Sequence, residues 1–185
     1  MKSFLPLLCM LLCASAYGQD KYNYNTFNKL TPLAGSDYVI ASVESVGKMM
    51  ASHGDALLFI NTRTGEQNRV DLPADASIHR WEHVKMDSLG INLILLTGRT
   101  VNLDNNKKGI DWNDPIQIIA VSTDGKQKTQ LTEDKFFAAQ WTIHPRTGAI
   151  VITGYYDSNN NGKYDRTDKD EILVFDLRTL KRVKV

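Results

Sequence analysis

The sequence predicts an all-β domain built from antiparallel, four-stranded, propeller-like blades, about three of them. Three observations point there. Past residue 18, apolar side chains come in short runs rich in Val, Ile, Leu and aromatics, with almost no helical periodicity. These runs pair into hairpins around turn residues such as Thr64-Gly65 and Asp124-Gly125. The pattern then recurs, because Gly65 and Gly125 are sixty residues apart, as are Trp81 and Trp141. A four-strand period of that size is the signature of a propeller blade.

Residues 1–18 have the form of an export signal. Lys2 supplies a short positive region and Phe4 to Cys13 form an apolar run. Ala14 to Gly18 then place small residues where a signal peptidase cleaves, after Ala16 or Gly18. The run is shorter than the roughly 20 residues that span a bilayer, and no later segment approaches that length. Both cysteines, Cys9 and Cys13, fall inside this signal, so disulfides are not expected in residues 19–185. Leu11 and Leu12 lack the small side chains that favour lipid attachment at Cys13. The expected location is therefore periplasmic or extracellular, with a lipid-anchored form as the weaker alternative.

Residues 19–185 have the size of a single domain. Its first unit covers approximately 26–72: Thr26–Leu33, Tyr38–Val43, Ala56–Ile60, a turn at Thr64-Gly65, then Asn68–Leu72. The second, 78–132, begins with a strand expected to start at Trp81. A turn at Leu89-Gly90 leads to Ile91–Leu96, a long polar loop and Ile116–Val121. The Asp124-Gly125 turn and Lys128–Thr132 complete it. The third, 136–185, repeats the order with Trp141, Thr147-Gly148, Ala149–Gly154, a second polar loop, Ile172–Phe175, a turn near Thr179-Leu180 and Lys181–Val185. At Asp124-Gly125 both central residues are expected to take positive φ.

The stretch Gln130-Leu131-Thr132, Gln140-Trp141 and Pro145-Arg146-Thr147-Gly148-Ala149-Ile150-Val151-Ile152 resembles the repeat of TolB-like β-propellers. In that family a leucine-threonine pair precedes a tryptophan-serine-proline-aspartate-glycine run across a blade junction. Here Thr142 to Gly148 replace the serine-proline-aspartate-glycine part. The resemblance covers Pro115 to Phe175 and loosens before that. It implies protein interaction and scaffolding in the envelope, and brings no catalytic residues. Closed propellers take about four to eight blades. Three units leave open a partial propeller, half of a ring closed by a homodimer, or a compact barrel or sandwich.

Asp157 to Asp168 read D-S-N-N-N-G-K-Y-D-R-T-D. Asp157, Asn159, Asn161, Asp165 and Asp168 put side-chain oxygens at positions 1, 3, 5, 9 and 12 of a calcium loop. Gly162 makes the sharp turn and Lys163 offers its carbonyl. Three anionic ligands, with Asp rather than Glu in last place, predict modest affinity of the kind that serves exported proteins. The flanks favour strands, so the loop resembles the aspartate-rich calcium loops between strands of integrin-type propellers. The alternative is an Asn/Asp/Gly turn without metal. In the preceding unit Asn102–Asp114 occupies the same place. Matching Gly109 to Gly162 sets Lys108 where Asn161 stands, which describes a decayed copy.

Other chemistry is sparse. His79-Arg80-Trp81-Glu82-His83 lacks the H-E-x-x-H order of a zinc hydrolase. Ser52-His53 beside Asp55 is only a proximity in sequence. No G-x-S-x-G elbow or phosphate-binding glycine loop occurs. Lys and Arg number 22 against 21 Asp and Glu, so no charge excess draws the chain to nucleic acid. Among the aromatics, Trp112 and Tyr164 lie in corresponding long loops and are candidates for stacking on a ligand. The expected function is an exported, non-enzymatic binding or scaffold module for a protein or glycan partner, with calcium stiffening one loop. The alternatives are a glycan-binding module and a hydrolase whose site, at a ring centre or dimer seam, draws on His79, His83 or Asp55.

Overall fold

A computed structural model describes residues 24–46, 55–104, 107–159, 161 and 164–184. Residues 1–18, read from sequence as an export signal, lie outside these residues, as do Ser52, His53, Gly162 and Lys163. The described residues form three four-stranded antiparallel sheets, each with its strands side by side in chain order, and these sheets do not close on one another. The first contains β1 Tyr24–Pro32, β2 Tyr38–Val46, β3 Ala56–Asn61 and β4 Gln67–Asp71. Next come β5 Ser77–Met86, β6 Ile91–Arg99, β7 Ile116–Ser122 and β8 Lys128–Gln130. The last has β9 Phe136–His144, β10 Ala149–Tyr156, β11 Lys169–Asp176 and β12 Lys181–Arg182. The protein is thus all-β, with three propeller-like blades.

Side-chain alternation explains the stacking, since successive residues of a strand face opposite sides. In the middle sheet both faces are apolar. Leu93 and Leu95 of β6 and Ile118 and Ala120 of β7 join one core with Ile150, Ile152, Leu173 and Phe175 of the third sheet. Ile94, Leu96, Ile119 and Val121 point the other way, into a second core with Ile40, Leu57 and Phe59 of the first sheet. A strand buried on both faces reads as a continuous apolar run, and Ile91 to Leu96 and Ile116 to Val121 are such runs. Polar links supplement the contact between the first and second sheets. Asn68 Nδ2 donates to the Asp124 carbonyl at 3.0 Å and Lys128 Nζ to the Asp71 carbonyl at 3.2 Å.

The structure corrects two local expectations. Trp81 and Trp141 do not begin their strands but sit in the middle of β5 and β9. At Asp124-Gly125 only Gly125 takes a positive φ, of 73°. Its N–H donates to the Ser122 carbonyl at 2.9 Å, closing a turn that keeps Asp124 in ordinary conformational space. The Asp124 carboxylate accepts from the Lys126 N–H and the Ser122 hydroxyl instead. At the corresponding turn of the third sheet Leu180 carries the positive φ, 56°, and packs partly against the core.

A feature the sequence did not suggest is a bulge in the first strand of every sheet. It falls at Phe27/Lys29 in β1 and at Ile78/Arg80 in β5. In the third sheet the register shifts opposite Thr153/Gly154, leaving Ala139 of β9 as the extra residue. Gly98 and Gly154 face the last two bulges. A Cβ on Gly98 would stand 2.5 Å from the Ser77 carbonyl oxygen, and one on Gly154 would collide with the Phe137 carbonyl. Glycine at these points permits close backbone approach. Thr97 and Thr153, one residue earlier, both donate from their hydroxyls to a carbonyl of the bulged strand, Arg80 or Gln140. The repeat is therefore reproduced down to its irregularities.

Candidate functional site

The two polar loops leave the same corner of neighbouring sheets and share a hydrogen-bond scaffold. In the third sheet Asp168 Oδ1 accepts from the Ser158 N–H at 3.0 Å and Oδ2 from the Asp165 N–H at 2.7 Å. In the second, Asp114 Oδ1 accepts from the Leu103 N–H and Oδ2 from the Asp111 N–H, at 2.7 and 2.8 Å. Asp165 Oδ1 takes the Thr167 N–H, and Asp111 Oδ1 takes the Asn113 N–H. Asp114 thus corresponds to Asp168 and Asp111 to Asp165. The aspartates, rather than the glycines, fix the match between the loops. Each final aspartate is a clamp that satisfies backbone donors at both ends of its loop.

What the third loop adds is convergence of oxygen-bearing side chains. Asp157 is 3 % exposed. Its Oδ1 and Asn159 Oδ1 both accept from the Asn161 N–H at 3.1 Å. Asp165 Oδ2 accepts from Asn159 Nδ2 at 2.9 Å and Asn161 Nδ2 at 2.7 Å. Four of the six residues singled out for metal binding are thereby gathered around one point, and Asp168 braces them from the outside. Among the described residues, no group of three or more His, Cys, Asp or Glu side chains is arranged as a metal centre. The donor set nonetheless suits a hard cation. The two amides direct their NH2 groups at Asp165, and half a turn about χ2 of Asn161 presents its oxygen instead.

Asp165 is held well below the usual carboxylate range, chiefly by the Thr167 hydroxyl and N–H and then by the two asparagine amides. Its unfolded value is near 3.9. A folded value below that contributes stability that is fully present above about pH 4 and lost as pH falls through the folded value. The loop is accordingly expected to keep these bonds at about pH 4. An NMR titration should place the Asp165 carboxyl midpoint below that of aspartate in a model peptide, and an ordinary midpoint would contradict this.

Tyr164 connects the loop to a surface. Its hydroxyl donates to Asp170 Oδ2 at 3.0 Å, and this bond with the Asp170 charge raises its pKa. Its ring meets Tyr155 edge-on, with centroids 4.9 Å apart, and Tyr155 stacks on Phe137 at 4.9 Å and 10°. Burial first, then the Asp168 and Asp157 charges, raises the Tyr155 hydroxyl. Trp112, from the other loop, lines the same cleft of about 490 Å³ together with Arg99 and Asn113. Trp112 is 79 % exposed and Tyr164 60 %. Both rings singled out from sequence therefore border one cleft. Phe137 was missed there, since its neighbour Phe136 faces the core and only strand alternation separates the two roles.

A second cleft, about 450 Å³, opens between the first and second sheets and is lined by Ser42, Asp55, His79, Trp81 and His83 among others. Its polar groups are engaged structurally. Asp55 Oδ2 accepts from the Ile78 N–H at 2.8 Å, and Trp81 Nε1 donates to Ser42 Oγ at 3.2 Å. His83 Nε2 lies 2.7 Å from Asn92 Oδ1, and His79 Nε2 faces the Arg99 guanidinium. Burial and then the Arg99 charge lower the His79 pKa, outweighing Asp55, so the ring favours its neutral form. That contribution to stability is present above about pH 6.5, the unfolded value, and declines as pH falls through the folded one.

The fold and site define a chain of three blade-like sheets with an aromatic cleft beside a carboxylate-clamped loop. No protein-family model matches it, and neither a curated protein nor a solved structure matches it.

Proposed function

We propose that this chain is an exported, non-enzymatic binding module, with the Trp112–Tyr164 cleft as its ligand surface. A calcium ion would stiffen the adjoining Asp157–Asp168 loop. The observation that carries the reading is that two exposed rings, from the long loops of two different sheets, border one cleft. Exposed Trp and Tyr offer large contact area at little cost in side-chain entropy and dominate binding surfaces for that reason. Asp157, Asn159, Asn161 and Asp165 would hold the ion, with the Lys163 carbonyl. Its charge would replace the amide hydrogen bonds on Asp165 and fix Tyr164 against Tyr155. The likeness to TolB-like repeats supports a scaffold role for a protein or glycan partner.

Calcium-dependent retention of the purified protein on an array of glycans and envelope proteins tests the proposal. Trp112→Ala and Tyr164→Ala should each weaken binding about thirtyfold, equivalent to a hot-spot loss of roughly 2 kcal/mol. As an exposed substitution, Trp112→Ala should change stability by no more than about 0.5 kcal/mol. Binding that both variants retain would refute the cleft. Hydrolase activity abolished by changing His79, His83 or Asp55 would overturn the non-enzymatic reading.

A further inference from the structure

The turns and bulges place the three sheets in a common register, which shows what each outer face lacks. Asn61, Ser122 and Asp176 each open the last hairpin of their sheet, with their carbonyls accepting from Gly65, Gly125 and Leu180. Counting back, Leu58, Ile119 and Leu173 are equivalent, and so are Ile60, Val121 and Phe175. The bulges align Leu30 with Trp81 and Trp141, each one residue past the residue that follows the bulge. These positions form the face that each sheet turns toward its predecessor. In the second and third sheets they are buried or pack against the cores, tryptophans included. In the first sheet Leu30 is 67 % exposed, and Leu58 and Ile60 belong to neither core.

The opposite faces show the converse. Leu57 and Phe59 of the first sheet and Ile118 and Ala120 of the second are buried against the sheet that follows. Their equivalents in the third sheet are Ile172, 61 % exposed, and Val174, half-buried. Val151, equivalent to the buried Ile40 and Leu95, is half-buried too. The first sheet thus ends in an apolar surface of the kind that the second and third press onto their predecessors. The third ends in the surface that accepts it.

We propose that these two faces bind each other between two copies of this chain, head to tail, as the sheets already bind within one copy. Both interior interfaces are the template, so no new packing chemistry is needed. A head-to-tail contact either closes into a ring or continues as a filament. Two copies supply six sheets, within the range of about four to eight that closed propellers use.

Sedimentation of the purified protein, wild type and variants, tests this. The wild type is expected to be a dimer. Leu30→Glu and Ile172→Glu, each at an exposed position, are expected to sediment as monomers with unchanged far-UV circular dichroism. Mixed in equal amounts they should form a one-to-one complex, because the first keeps its third sheet intact and the second its first sheet. Phe27→Glu, on the same face as Leu30, repeats the test with another exposed residue. A monomeric wild type would overturn the proposal, as would a dimer indifferent to these substitutions or a mixture of variants that stays monomeric.

Discussion

Phe136→Ala should remove about 3–5 kcal/mol of stability, the usual cost of deleting a buried aromatic ring. Phe136 is 0 % exposed. Its ring meets Tyr156 edge-on at 5.2 Å and lies in the core that joins the second and third sheets. Both interactions go with it, and the glycine backbone at Gly154 cannot fill the space. Domains are stable by roughly 5–15 kcal/mol in all, so the loss is a large fraction of the total. For a domain of this size each kcal/mol moves Tm by about 2–4 °C. Thermal unfolding should show a drop of about 10 °C. A drop under about 3 °C would mean that this core does not hold the sheets together.

The second large effect is expected at Gly154→Ala. The added methyl group would collide with the Phe137 carbonyl and stand 2.6 Å from the Phe136 ring. A ring can shift, but a backbone carbonyl fixed in a bulge cannot do so without loosening β9 from β10. Overpacking costs about 1–3 kcal/mol, and more where backbone must move; a loss of at least about 3 kcal/mol is expected here. Gly98→Ala, facing the equivalent Ser77 carbonyl, should behave alike. Gly90→Ala is the contrast, because nothing lies within 4 Å of its added methyl and only its φ of 66° is strained. Chemical denaturation of the three variants side by side ranks them. Gly154 has no positive φ, so a loss there no larger than at Gly90 would contradict a cost set by the collision at the bulge.

Much of the sheet architecture was legible because two-residue alternation and turn glycines are local signals. The continuous runs at Ile91–Leu96 and Ile116–Val121 even marked the middle sheet, buried on both faces. What stayed hidden depends on partners distant in sequence. The bulges that shift His79 and Ala139 out of register are visible only against Gly98 and Gly154. Asp124 escapes positive φ because Ser122 and Lys126 complete its turn, which the dipeptide alone does not specify. The carboxylate clamp that the long loops share, at Asp114 and Asp168, was not apparent from their glycines, because it depends on backbone donors at both ends of each loop. Trp112 and Tyr164 stood out as aromatics in polar loops, but their meeting around one cleft, with Phe137 and Tyr155, follows from stacking of the sheets.

In the proposed function, a cation holds Asp157–Asp168 in the shape that supports the ligand surface at Tyr164. Thermal unfolding of the purified protein in excess calcium and in chelator, beside Asp157→Ala, tests it most directly. At about 100 times its dissociation constant the ion should add about 2.7 kcal/mol, a rise of several degrees, to the wild type and nothing to the variant. A wild type that melts alike in calcium and chelator, or a variant that gains as much as the wild type, would contradict the claim.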